Sequence, residues 1–123
     1  MKVLADTSIW VDHFRRADAQ LAGLLDHGDV VIHPFVIGEL LLGGVPKASD
    51  LLDDLNTLPK ATIASNDEVL EFIVKRKLSG LGIGYVDAHL LASTMLTIEA
   101  SIWTPDKRLL AAARSLKLAA DIQ

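Results

Sequence analysis

Near its start the chain carries an apolar run, Val3-Leu4-Ala5, that is too short for a helix and stops at an acid, Asp6, followed by Thr7 and Ser8. A run of that length with a polar stop has the bounds of a buried strand. In open α/β sheets, ligands gather just beyond the carboxyl ends of the strands. Thr7 or Ser8 can cap a helix that begins near Ile9. An acid at such a junction serves a metal ion or proton chemistry, or it merely turns the chain. This segment alone supports the two readings equally.

At 123 residues the chain reads as one domain, 1–123, long enough to bury roughly two-thirds of its unfolded surface. Half the residues are hydrophobic and only 5% aromatic, so the core is expected to be mostly Leu, Ile, Val and Ala. That favours a helix-rich α/β protein over a sheet that stacks RNA bases on aromatics. With no cysteine, disulfides and thiolate metal sites are excluded. No stretch approaches the ~20 apolar residues of a membrane span. The N-terminus runs straight into the first strand without a signal-peptide layout, so a cytoplasmic location is expected.

A formal net charge of −4 argues at first against a nucleic-acid partner. Setting aside four acids that could hold a metal leaves 12 of the 16 acids against 12 Lys and Arg, a neutral remainder. Net charge therefore does not decide the matter.

Along the chain, Trp10 and Phe14 give a short helix one apolar face. Asp18 caps a second helix, with Leu21, Leu24 and Leu25 inward and Gly28 as its stop. Val30-Val31-Ile32 reads as a second buried strand. Pro34 opens a helix that is apolar on nearly every side and so should be buried, with Glu39 its one charge. A carboxylate there needs a partner or a cation unless it reaches the surface. Gly43, Gly44 and Pro46 lead to a helix with Leu51, Leu52, Leu55 and Leu58 on one face and Asp50, Asp53 and Asp54 on the other. Ala61–Ala64 is expected as a third strand. The next helix, opened by Asn66, Asp67 and Glu68, is expected to bury Leu70, Ile73, Val74 and Leu78. Its basic end, Lys75-Arg76-Lys77, reads as macrodipole pairing rather than an RNA contact.

Ser79–Gly84 is glycine-rich but lacks dinucleotide-fingerprint spacing, and it reads as a mobile loop. The helix Tyr85–Thr97 then carries Asp87 in its first turn, while His89 points away and reads as a packed or hydrogen-bonded histidine rather than a ligand. Ser101–Thr104 is a fourth strand. Asp106 follows it as the cap of a helix that buries Leu109, Ala112, Ala113 and Leu116. Leu118–Ile122 is a candidate fifth strand.

Asp6, Glu39, Asp87 and Asp106 thus fall at strand ends, at helix starts or in an apolar helix. Alternating strands and helices imply a parallel sheet with right-handed crossovers, which gathers its strand ends at one edge. Four carboxylates meeting there would repel one another unless a cation sat between them. An all-oxygen set suits Mg²⁺ or Mn²⁺, the apparatus of phosphodiester hydrolysis.

Asp6-Thr7-Ser8 after strand one, Glu39 in its helix, Gly84-Tyr85-Val86-Asp87-Ala88-His89 and Thr104-Pro105-Asp106 together resemble the acidic motifs of PIN-domain nucleases, in order and over essentially the whole chain. The size and the run from Gly82 to Leu91 look most like the VapC toxins of bacterial toxin–antitoxin pairs. The resemblance implies a three-layer α/β/α sandwich around a short parallel sheet. It also implies a Mg²⁺- or Mn²⁺-dependent endoribonuclease that hydrolyses RNA through metal-activated water. The expected partners are a second copy in a homodimer and a VapB-like antitoxin that covers the active site. Carried over by position, Asp6, Asp87 and Asp106 would be metal ligands, and Glu39 would bind directly or through water. Thr7, Ser8 and Thr104 would hold the carboxylates, and Lys107 and Arg108 could meet the RNA backbone.

Two alternatives differ in kind. A PIN ribonuclease of RNA processing would share the site but lack an antitoxin. A receiver-type signalling domain would need paired acids after strand one and an acceptor Asp at a central strand end. The mid-chain candidates for that acceptor, Asp53 and Asp54, read as helical.

Overall fold

The computed structural model describes residues 1–122. The chain runs β1 (Lys2–Ala5), α1 (Thr7–Arg15), α2 (Ala19–Asp26), β2 (Val30–Val31), α3 (Pro34–Leu42), α4 (Ala48–Asn56), α5 (Asn66–Lys75), α6 (Tyr85–Leu96), β3 (Ala100–Trp103) and α7 (Lys107–Ser115). The strands form a parallel sheet in the order β2-β1-β3. Central β1 buries Val3, Leu4 and Ala5 completely, as a strand covered on both faces must. α2 packs on β2, α6 on β3 and α5 on α6, while α1, α3 and α4 pack in succession. The result is the expected α/β/α sandwich. Among the described residues no helix is long and apolar enough to cross a membrane.

Two expected strands are reduced to single bridges. Lys60 pairs with Ile32 in place of a strand over Ala61–Ala64, and Ala119 pairs with Ile102 in place of one over Leu118–Ile122. In the first segment Ala61 and Ala64 are buried while Thr62 and Ile63 are exposed, which is not the alternation of a sheet. Only its first N–H, that of Ala61, reaches the sheet, donating to the Ile32 carbonyl at 2.9 Å; Thr62 donates to the Thr97 hydroxyl at 2.9 Å and Ala64 to the Ser93 hydroxyl at 3.3 Å.

Two helices turn differently from expectation. α5 buries Val69 and half-buries Phe72 and Ile73, with Leu78 buried just beyond its end, and leaves Leu70 and Val74 outside. The stripes Val69/Ile73 and Leu70/Val74 are adjacent on the helix and equally apolar, so periodicity could not choose between them. α3 buries only Val36 and Leu40, while Leu42 is 88% exposed. It is a half-buried helix, and Glu39 lies on its open side. Phe14, expected inward with Trp10, is likewise exposed.

α3 is capped by an imidazole. The Phe35 N–H donates to His33 Nδ1 at 3.0 Å, which puts the ring proton on Nε2. The ring is fully buried, and Nε2 has no partner among the described residues. Burial, and then the neighbouring His89, push the pKa of His33 from 6.5 down to about 4. Between those values the unfolded chain binds the proton more readily than the folded one. Stability is therefore full above pH 6.5 and declines as pH falls toward 4, by up to roughly 3 kcal/mol. His33→Asn keeps a capping oxygen but does not titrate, so urea melts across that window should show a flatter acid limb. An unchanged slope would remove His33 as its cause.

Candidate functional site

The parallel pairing of β1 with β3 sets their carboxyl ends side by side, and one hydroxyl joins them. The Asp6 N–H donates to the Trp103 carbonyl at 2.8 Å. The buried Thr104 hydroxyl then donates to Asp6 Oδ2 at 2.9 Å and accepts from the Asp106 N–H at 3.1 Å. Asp6 itself caps α1, its Oδ1 accepting from the Thr7 N–H at 2.7 Å. The expected caps, Thr7 and Ser8, therefore lie inside or beside the first turn. With the cap supplied by Asp6, the Thr7 hydroxyl donates instead to Glu39 Oε1 at 2.7 Å, tying α1 to α3. Asp87 folds back on the Gly84 N–H at 3.2 Å, and Asp106 caps α7 through the Leu109 N–H at 2.9 Å.

Asp6, Glu39, Asp87 and Asp106 line one cleft of about 670 Å³, together with Thr7 and Ser8. Asp87 feels the crowding. Its half-burial raises its carboxyl above the ordinary range, the Gly84 N–H opposes this, and Asp6, Asp106 and Glu39 push further upward. The carboxylates are not gathered into a finished cage. Among the described residues no three His, Asp or Glu groups stand close enough to enclose one ion. Each acid is turned toward an N–H or hydroxyl of its own, so enclosing a cation requires rotation of these side chains toward the centre.

The other expected residues divide. Ser8 lines the cleft but makes no side-chain hydrogen bond to the acids among the described residues. Lys107 is exposed. Lys75, Arg76 and Lys77 lie outside the carboxylate cleft, where Arg76 reaches the Met95 sulfur at 3.4 Å. Of the two readings of His89, the structure shows the packed one: it is 2% exposed and neither ring nitrogen is hydrogen-bonded among the described residues. Asp53 and Asp54 lie on an exposed helix face away from any strand end, which removes the receiver-type acceptor. Of the five further lining residues, Val11, Asp12, Gly84, Tyr85 and Val86, two carry polar side chains that the expected site lacked. Asp12 follows Ser8 by four positions, so helical spacing alone would have found it. Tyr85 lies in the helix turn that carries Asp87.

The profile of the PIN domain matches residues 3–115. The chain is 46% identical over 110 residues to Ribonuclease VapC32 of Mycobacterium tuberculosis, in strain CDC 1551 / Oshkosh and equally in strain H37Rv, covering 89% of each chain. In three dimensions it is similar to PAE2754 from Pyrobaculum aerophilum, with a TM-score of 0.61 and 20% identity, covering 93% of this chain and 81% of that one. At that identity the last likeness speaks to the fold.

Arg108 lies across Gly82 in the loop before α6. A Cβ at Gly82 would stand 2.8 Å from both Cδ and Nη1 of Arg108, and Gly82 has φ +76°. The glycine thus does two things, taking a left-handed turn and leaving room for the guanidinium. Gly82→Ala should cost roughly 1–2 kcal/mol for the backbone conformation, plus whatever is needed to move Arg108. Adding Arg108→Ala should recover only the second part, read from denaturant melts of the single and double variants. Full recovery, or none, would contradict this division.

Proposed function

The chain belongs to the PIN-domain family, and on that footing we propose that it is a divalent-cation-dependent endoribonuclease, the toxin of a toxin–antitoxin pair. The observation that carries the reading is the convergence of Asp6, Glu39, Asp87 and Asp106, from four separated elements, on one cleft. The kinship with the mycobacterial ribonuclease supports RNA as substrate. The partners in this reading are a VapB-like antitoxin whose segment covers the cleft, and a second copy in a homodimer, all in the cytoplasm. The whole chain, 1–123, is one PIN domain.

The donor chemistry fits Mg²⁺ or Mn²⁺. All four groups are hard oxygens, and the mutual repulsion at Asp87 is what a cation would relieve. Such an ion supplies an activated water and neutralises charge on the phosphodiester oxygens. Asp6, Asp87 and Asp106 would hold it, with Glu39 binding directly or through water, and the chemistry it would supply is hydrolysis of the phosphodiester. The chain's own residues provide the order. Thr104 fixes Asp6 against the start of α7, and Thr7 aims Glu39 from across the cleft. Arg108, laid over Gly82 and without an ion-pair partner among the described residues, is free to meet a phosphate of the RNA backbone, with Lys107 beside it.

Asp6→Asn and Asp87→Asn should each abolish RNA cleavage while the far-UV spectrum stays unchanged. Full activity in either purified variant would refute that assignment. Thr104→Val keeps the shape but loses both hydrogen bonds, and should lower activity by roughly 10- to 100-fold, the usual cost of an orienting partner. Wild-type rates in Thr104→Val would exclude that role.

Metal binding has its own readout. Mn²⁺ should raise the melting temperature of the wild type by several degrees, and EDTA should reverse the effect. Because the folded state raises the Asp87 pKa, its ionisation disfavours folding, and this penalty grows as pH rises through the raised value. At neutral pH and without metal, Asp87→Asn should therefore melt above the wild type and lose most of the Mn²⁺ response. A wild-type melting curve indifferent to both Mn²⁺ and EDTA would count against a shared ion.

A further inference from the structure

The chain has six aromatic residues, counting two Trp, one Tyr and three Phe. Three of them, Phe14, Phe35 and Tyr85, stay substantially exposed, at 43%, 38% and 46%, and the last two lie together. Both rest on one support. His89 meets Phe35 at a ring distance of 4.6 Å and Tyr85 at 4.7 Å, the latter edge to face at 89°. His89 is 2% exposed, and neither ring nitrogen has a partner among the described residues. Leaving an imidazole in that condition is costly, and it makes sense as a rigid backing plate rather than a polar contact. His33 braces Phe35 from another side at 5.0 Å, and the Tyr85 hydroxyl donates to Asn66 Oδ1 at 3.4 Å.

This cluster reaches the carboxylate cleft through Tyr85. Tyr85 lines the cleft, two residues before Asp87. Phe35 precedes Glu39 by four positions on α3, so it shares that helix face. An acidic cleft repels the RNA backbone, and the hold on a substrate must come partly from contacts that charge does not oppose. A nucleobase offers a flat, uncharged face, and stacking on aromatic rings tolerates any base. We propose that Phe35 and Tyr85, backed by His89, form a platform on which a base of single-stranded RNA stacks beside the scissile phosphate. This rests on the ribonuclease reading above and adds to it a subsite for the base. The two residues act in substrate binding, so they govern affinity more than the chemical step.

The test uses a short single-stranded RNA with 2-aminopurine placed at each position in turn. It is bound to the full chain carrying Asp6→Asn, so that the RNA stays intact. Stacking should quench the fluorescence at one position or a few neighbouring ones. Adding Tyr85→Leu or Phe35→Leu should remove that quench and weaken binding by about 5- to 150-fold, the range for one base stacked on an aromatic side chain. Tyr85→Phe should keep both, which separates loss of the ring from loss of the fold. In otherwise wild-type protein with Mn²⁺, Tyr85→Leu should raise KM and leave kcat nearly unchanged. Quenching and affinity that survive both Leu substitutions would overturn the platform, as would a parent protein that binds no RNA. Position-specific quenching in a wild type that cleaves no RNA would overturn the nuclease reading and leave the platform standing.

Discussion

The hydrogen bond from the Thr104 hydroxyl to Asp6 spans almost the whole chain, and the cleft depends on it. It exists because β1 and β3 are parallel neighbours. Pairing of Lys2–Ala5 with Ala100–Trp103 ends both strands at the same level and leaves Asp6 and Thr104 facing each other. An antiparallel pairing of the same sequences would send one of these residues to the far edge. The hydroxyl then passes the constraint on, since it also accepts the Asp106 N–H and so fixes where α7 begins. Two acids are set by sheet register alone. The other two come from helices packed around that edge: Glu39 is fastened to α1 by Thr7, and Asp87 is turned onto its own helix start.

Helix termini do much to keep these acids tolerable. Asp6, Asp87 and Asp106 each accept from a backbone N–H at a helix N-terminus, where the macrodipole favours negative charge. Three helices therefore aim their positive ends toward one cleft. Without a cation this softens the repulsion but does not cancel it, as the raised Asp87 carboxyl records. The arrangement stands between a set of ordinary caps and a closed metal cage.

Much of this was legible in the sequence. The buried strand Val3–Ala5, the caps at Asp18 and Asp106 and the placing of Asp6, Asp87 and Asp106 at strand ends or helix starts could be read because each rests on a local rule, strand length or capping chemistry. The misreadings arose where a local rule met two equal choices. α5 offers two apolar stripes, and only packing against α6 selects Val69 and Ile73 over Leu70 and Val74. Ala61–Ala64 has strand-like composition, but beyond Ala61 the N–H groups of Thr62 and Ala64 are claimed by the hydroxyls of Thr97 and Ser93. The apolarity of α3 suggested full burial, yet the helix keeps Glu39 and Phe35 on its open side. The accommodation of Arg108 by Gly82 depends on residues on separate elements and has no sequence signal beyond a glycine.

The order of β1 and β3 along the chain has a consequence for biosynthesis. Asp6 is synthesised 98 residues before its partner Thr104, with Asp106 following two residues later. No nascent fragment short of that point can assemble the four acids. The cleft thus stays unassembled on the nascent chain until Asp106 has been made and β3 has paired with β1.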